Sequence, residues 1–183
     1  NDAAPTDLFT VIFDGHQKRE LVPFILLASN NPLSLRRDSE FKTVSFRSWY
    51  VGITSSLCFA KMGNQVWGVD LDSKKIKKLS SNEFYFPEKD LNELYNDDET
   101  QSNLFFLDSL SNIPNNIDIF LICVGTPSSQ DGSLSIKYLN SALEDVLSHL
   151  NHLDSTNHNI EIVVRSTILP GTLNSIIDRK NQE

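Results

Sequence analysis

The chain of 183 residues is expected to fold as an α/β protein around a doubly wound parallel sheet. Three observations lead there. From Lys42 onward, β-rich runs alternate with segments of helical periodicity, as right-handed βαβ crossovers require. Residues 117–125, "IDIFLICVG", form a continuous apolar run rich in branched side chains, which suits a strand covered on both faces. The expected strand ends carry polar or glycine-containing turns, the places where such sheets bind ligands.

Taken in order, "LFTVIF" (8–13) is β-rich, and "QKRELVPFILLAS" (17–29) reads as a short helix that Pro23 starts or kinks. "NNPLSLRRDSEF" (30–41) is turn-rich and reads as a linker. "KTVSF" (42–46) is a strand, and "VGITSSLCFAKMG" (51–63) is a helix stopped by Gly63. "QVWGVD" (65–70) is the next strand, and "DSKKIKKLSS" (72–81) a helix with Ile76 and Leu79 on its apolar edge. "EKDLNELY" (88–95) reads as a helix, "NDDETQSN" (96–103) as a solvated loop and "LFFL" (104–107) as a short strand. "SIKYLNSALEDVLSHL" (135–150) places Ile136, Leu139, Leu143, Val146, Leu147 and Leu150 along one helical face. "IEIVVRST" (160–167) is a buried strand, and "GTLNSIIDRK" (171–180) opens another helix. The expected division is an N-terminal extension of unknown role, 1–41, followed by a dinucleotide-binding domain, 42–183.

Hydrophobic residues make up 39% of the chain and charged residues 22%, which supports one buried core and argues against disorder over the whole length. The formal net charge of −8 argues against nucleic acid or an anionic membrane as the main partner, because phosphate binding needs clustered cations. The basic stretches at Lys18 and at 74–78 are local exceptions. The apolar run 21–28 is too short to span a bilayer and lacks a signal-peptide pattern, so a cytoplasmic location is expected. Cys58 and Cys123 both lie in apolar sequence and read as small core residues in a reducing compartment, with a reactive thiol as the alternative. The start at Asn1 and the polar end "DRKNQE" suggest that the chain is cut from something larger.

Candidate site residues follow the expected strands. Asp70 ends the second strand of the domain at about the spacing, roughly 20 residues from the glycine turn, at which an acidic side chain accepts from an adenosine ribose. The alternative is that it caps the next helix, for which Asp72 is better placed. "VGTPSSQDGSL" (124–134) reads as irregular backbone lining a crevice, or as a loop without function. Ser166 and Thr167 offer hydroxyls that could hold a water or a carbonyl, or that could cap a helix.

These stretches together resemble the N-terminal NAD-binding domain of the UDP-glucose/GDP-mannose dehydrogenase family. The resemblance spans 42–180 and is carried by "YVG" (50–52), "FAKMGNQVWGVDLDSKKI" (59–76), "ICVGTPSSQDGSL" (122–134) and above all "VVRSTILPGT" (163–172). Cys123 and Leu169 bring the last two closest to the GDP-mannose 6-dehydrogenase branch. It implies a Rossmann-like fold with NAD as cofactor. Tyr50, Val51 and Gly52 would lie at the cofactor loop, Asp70 and Lys75 at the adenosine ribose, Thr126 on the nicotinamide side and Thr167 close to the catalytic water. The implied activity is oxidation of a nucleotide sugar at C6 to the carboxylate through a cysteine thioester, within polysaccharide biosynthesis. The cysteine, its supporting lysine and the sugar-binding residues would follow this domain, and neither Cys58 nor Cys123 matches the nucleophile's motif. Dimers of that family form through a later segment, so this chain would be monomeric, pair through its leader as a homodimer, or meet another protein.

Three features depart from the family. Arg47 and Trp49 stand where the first two glycines of the cofactor loop belong, one needed for the tight turn and one for close approach of the pyrophosphate. The family's "EPGL" turn reads Glu88, Lys89, Asp90, Leu91 here, and residues 1–41 have no counterpart. A tryptophan that buries on the order of 150–250 Å² would occupy the phosphate volume, whereas the guanidinium of Arg47 could hold an anion in its own right. Two functional readings result: the NAD-binding part of a nucleotide-sugar 6-dehydrogenase without its catalytic half, or a degenerate domain acting as an interaction or regulatory module. Plain drift, by single base changes at Arg47 and Trp49, would account for the same residues.

Overall fold

The computed structural model describes residues 9–13, 22–25, 40–47, 51–81, 83, 89–128, 134–152 and 160–180. The strands are β1 (Phe9–Phe13), β2 (Val22–Ile25), β3 (Lys42–Phe46), β4 (Gln65–Val69), β5 (Leu104–Leu107), β6 (Ile119–Ile122) and β7 (Ile160–Val164). The helices are α1 (Val51–Lys61), α2 (Ser73–Ser80), α3 (Lys89–Tyr95), α4 (Asp98–Asn103), α5 (Lys137–Asn151) and α6 (Thr172–Lys180), with a 3-10 turn at Leu110–Asn112. Among the described residues the strands form one sheet in the order β2-β1-β7-β6-β3-β4-β5.

From β3 to β7 every pairing is parallel. The order reverses between β3 and β6, the switch point at which doubly wound sheets bind ligands. β1 joins the outer edge of β7 antiparallel and pairs with β2 in turn. The expected helix at 17–29 is therefore corrected in its middle: Val22–Ile25 is an edge strand, where Pro23, lacking an N–H, is tolerated.

The parallel register sorts the core into two faces. Val44, Trp67 and Phe120 lie abreast, as do Phe46, Val69 and Ile122, and this face packs on Leu139, Leu143 and Val146 of α5 and on Leu173, Ile176 and Ile177 of α6. The opposite face receives Ile53 and Leu57 of α1, Leu79 of α2 and Tyr95 of α3, with Leu104 and Phe106 of β5 packed against them. At the rear of this second cluster the Tyr95 hydroxyl donates to the Leu79 carbonyl.

Helix ends follow local chemistry. Gly63, at φ 85°, ends α1 in a Schellman arrangement: its N–H donates to the Ala60 carbonyl at 3.0 Å and that of Asn64 to the Phe59 carbonyl at 3.1 Å. The Asp72 carboxylate accepts from the N–H groups of Lys74 and Lys75 and caps α2, and Ile76 and Leu79 are that helix's buried residues. Residues 96–103 depart from the expected loop, because Asp97 caps α4 by accepting from the Thr100 N–H at 3.0 Å. Asp98 and Glu99 in its first turn suit the helix dipole. Cys58 also departs from expectation. It is exposed, since the buried residues of α1 are Gly52, Ile53, Ser56, Leu57 and Ala60, and position 58 falls off that stripe; Cys123 is buried. Among the described residues no helix is long and apolar enough to cross a membrane.

Candidate functional site

The carboxyl ends of β3, β4, β6 and β7 bring the expected site residues to one edge of the sheet in two groups. The first surrounds a cleft between α1, α2 and the strands β3, β4 and β5, lined by Ser45, Ile53, Ser56, Gly68, Val69, Asp70, Lys75, Ile76, Leu79 and Phe106. Its polar end is Asp70 and Lys75, with the ammonium 3.6 Å from the Asp70 Oδ2. The other carboxylate oxygen accepts from the Asp72 N–H at 2.9 Å, which fixes the side chain just past β4. Asp72, not Asp70, caps α2, so the carboxylate of Asp70 faces the cleft edge rather than a helix start.

Close approach of α1 to β3 forms one wall. The carbonyl of buried Gly52 accepts from Ser56 Oγ at 2.7 Å and Ser45 Oγ at 3.3 Å, so three small residues set the helix against the strand. This is the packing role that the last glycine of a dinucleotide loop serves. Gly68 opens the floor: a Cβ there would stand 2.9 Å from the Phe106 ring. Val51, the first residue of α1, is exposed. Trp49 and Tyr50 lie outside the described residues.

The second group joins the ends of β6 and β7. Thr126 Oγ1 donates to the Thr167 carbonyl at 2.8 Å, and buried Ser166 donates through Oγ to the Val124 carbonyl at 2.7 Å. The two loops are thus stitched together, Thr126 is brought against Thr167, and Thr167 is exposed. Neither hydroxyl caps α6, which begins only at Thr172. Of the loop 124–134, residues 129–133 lie outside the described residues, and its base is closed by a bridge between Ser128 and Leu134.

Arg47 stands between the groups. It has φ 58°, a region that glycine enters freely and other residues seldom do, and its N–H donates to the Val69 carbonyl at 2.9 Å. Its side chain leaves the turn toward α5, where Nη1 donates to Ser141 Oγ at 3.1 Å and Nη2 forms an ion pair with the Asp145 carboxylate. The guanidinium carbon also lies 5.2 Å from the centre of the Phe46 ring, and Nε is buried without a hydrogen-bond partner among the described residues. Nothing in the sequence pattern pointed to Ser141 or Asp145, which come from a distant helix on the face opposite α1.

A dinucleotide is met unevenly by these residues. At the adenosine end an acceptor at a strand end and a neighbouring ammonium match a ribose diol, while the cavity behind them, about 20 Å³ and walled by buried Ile53, Ile76 and Leu79, is too small to take a base. The pyrophosphate half does not fit at Arg47, whose charge is engaged by Asp145 on the other face of the sheet rather than turned toward the first turn of α1.

Comparison with known proteins accords with this layout. Residues 44–183 match the model of the UDP-glucose/GDP-mannose dehydrogenase family, NAD binding domain. A GDP-mannose 6-dehydrogenase of Pseudomonas syringae pv. syringae is 32% identical over 128 residues, covering 70% of this chain and 28% of that protein. A UDP-glucose 6-dehydrogenase of Rickettsia typhi is 34% identical over 130 residues, covering 71% of this chain and 29% of that protein. The chain therefore spans less than a third of the length of these relatives. Among solved structures, a ternary complex of GDP-mannose dehydrogenase from Pseudomonas aeruginosa superposes with a TM-score of 0.62 at 28% identity, covering 77% of this chain and 33% of that one. A UDP-glucose dehydrogenase from Pyrobaculum islandicum shares the fold, with a TM-score of 0.68 at 24% identity over 82% of this chain and 34% of that one. By sequence and by fold, then, this chain belongs to the UDP-glucose/GDP-mannose dehydrogenase family and contains its NAD binding domain.

Proposed function

We propose that residues 42–183 serve as the cofactor-holding part of a nucleotide-sugar 6-dehydrogenase, anchoring NAD by its adenosine ribose at Asp70. The observation that carries this reading is the Asp70 carboxylate, held at the end of β4 by the Asp72 N–H and paired with Lys75 at the mouth of an apolar cleft. A ribose diol donates to such a carboxylate and accepts from such an ammonium. NAD, when bound, supplies the hydride acceptor for oxidation of the sugar C6. On this reading Val51 and Gly52 set the start of α1 beside the cofactor, Tyr50 belongs to the same loop, and Thr126 positions the Thr167 loop where the nicotinamide would lie. Thr167 then presents its exposed hydroxyl to a water.

The family resemblance implies that the sugar-oxidising cysteine and its supporting groups follow this domain, so residues 42–183 would contribute the cofactor and not the nucleophile. Within residues 1–41, β1 and β2 extend the domain's own sheet at β7, and the two thiols suit a reducing, cytoplasmic setting. Isothermal titration with NAD+ tests the reading. Wild-type chain is expected to bind, and Asp70→Ala to bind about tenfold to a hundredfold more weakly, since a hydrogen bond to a charged group contributes about 1.5–3 kcal/mol. Binding unaffected by Asp70→Ala would refute the assignment of the cleft. The second reading, a degenerate module that uses no cofactor, is favoured by Arg47 at the first glycine position, and absence of heat at millimolar NAD+ would establish it over the first.

A further inference from the structure

We infer that the N-terminal hairpin of β1 and β2 is an edge plug built into the fold: by main-chain pairing it holds the place beside β7 that a doubly wound sheet gives to its next parallel strand, and it closes that edge to any other strand. Nothing in this depends on what Asp70 binds.

Topology fixes the place. The crossover from β6 to β7 runs through α5, and α6 packs on the same face of the sheet as α5. A second right-handed crossover on that face leads outward again, away from β6. In the order usual for such sheets the strand after that helix lies parallel to β7 along its outer edge. Here β1 lies there instead, antiparallel, in register from Phe9 opposite Val164 to Phe13 opposite Ile160.

The backbone shows how the edge is closed. The N–H of Glu161 donates to the Asp118 carbonyl at 2.9 Å and that of Arg165 to the Ile122 carbonyl at 2.8 Å, so residues 161, 163 and 165 face β6. Alternation turns Ile160, Ile162 and Val164 to the outer edge, opposite Phe13, Val11 and Phe9. Thr10 and Ile12 then face β2, opposite Phe24 and Val22. Pro23, opposite Val11, falls on the outer side of β2, where it offers no N–H to a further strand. Among the described residues the sheet stops there. One hairpin thus covers an edge rich in branched residues, "IEIVV", and presents in its place an edge interrupted by proline.

Amide hydrogen exchange of the isotopically labelled full chain tests this. The amides of Ile162 and Val164, which face β1, are expected to exchange within about tenfold of that of Val163, which faces β6. A larger excess would leave the edge open and overturn the inference. Val11→Pro removes the main-chain donor aimed at β7 and spares the ladder between β1 and β2. With Val44 and Val69 still protected as the check on folding, this variant is expected to exchange at least about tenfold faster at Ile162 and Val164. In sedimentation velocity it should self-associate more strongly than wild type, as the uncovered β7 edge pairs between copies. Unchanged protection would remove β1 from the role assigned to it. Protection lost without added self-association would show that the hairpin excludes nothing, and would overturn the plug.

Discussion

Arg47 shows how one side chain can be at odds with its backbone and still be well accommodated. A left-handed conformation costs a residue with a Cβ roughly 1–2 kcal/mol, while an ion pair with a partly exposed carboxylate such as Asp145 returns about 0–1 kcal/mol. Arg47→Gly is therefore expected to stay within about 1 kcal/mol of wild type in urea unfolding, because strain and ion pair disappear together. Arg47→Ala keeps the strain and loses the pair, so it is expected to be the least stable of the three. Equal stability of the alanine and glycine variants would show that no strain resides there. Position 47 was legible in the sequence as a departure, but its partners were not: Ser141 and Asp145 are 94 and 98 residues away, and only the fold brings α5 beside the end of β3. Asp70 was legible for the opposite reason, since a strand end and a helix start fix its place locally.

His149 makes the stability depend on pH. Its Nε2 is buried without a hydrogen-bond partner among the described residues, its ring faces Phe120, and burial, with a smaller contribution from His152, lowers its pKa below the usual histidine value. As pH falls, the unfolded chain therefore takes up this proton before the folded chain does, so stability should decline from about pH 6.5 downward until the folded pKa is passed. His149→Leu is expected to flatten that decline in urea titrations at successive pH values; an unchanged slope would place the sensitivity elsewhere. Glu161 acts with the opposite sign. Burial raises its pKa, so the folded state keeps a proton that the unfolded state has lost, and stability falls as pH rises through that window. Glu161→Gln should accordingly raise stability near neutrality.

At the scale of elements, the strands and long helices from β3 to α6 were legible because periodicity and burial agree in them. Leu57 is fully buried between α1, α2 and α3, and Leu57→Ala is expected to cost about 2–5 kcal/mol by urea denaturation. A loss under 1 kcal/mol would mean that this half of the core is loosely packed. Helix α4 was not legible, since "DETQSN" has no apolar stripe and its helicity depends on the ends: the Asp97 cap and the Lys61 ammonium, which meets both Asp97 and Glu99. Glu99, and after it Asp97, raise the pKa of Lys61, which in turn lowers that of Asp97. Asp97→Ala should speed amide exchange in α4 while leaving α1 protected. Cys58 was misplaced for a related reason: apolar neighbours in sequence say little about which side of a helix a residue takes.

For the whole molecule, the strand order turns a list of separated residues into a site. Reversal between β3 and β6 places Asp70 and Lys75 on one side of the switch point and the stitched pair Thr126 and Thr167 on the other. Between them stands Arg47, whose guanidinium is committed to Asp145 of α5. The parallel order could be read from alternation alone, whereas the antiparallel addition of β1 and β2 could not, because edge pairing depends on which strand edge is open. The most direct measurement is a titration of the isotopically labelled chain with NAD+, followed by amide chemical shifts. The expected result is that Gly68, Asp70, Lys75, Ile76 and Phe106 shift together on one binding curve, with little change along α5. Shifts confined to other regions, or none at millimolar NAD+, would contradict an adenosine site at Asp70.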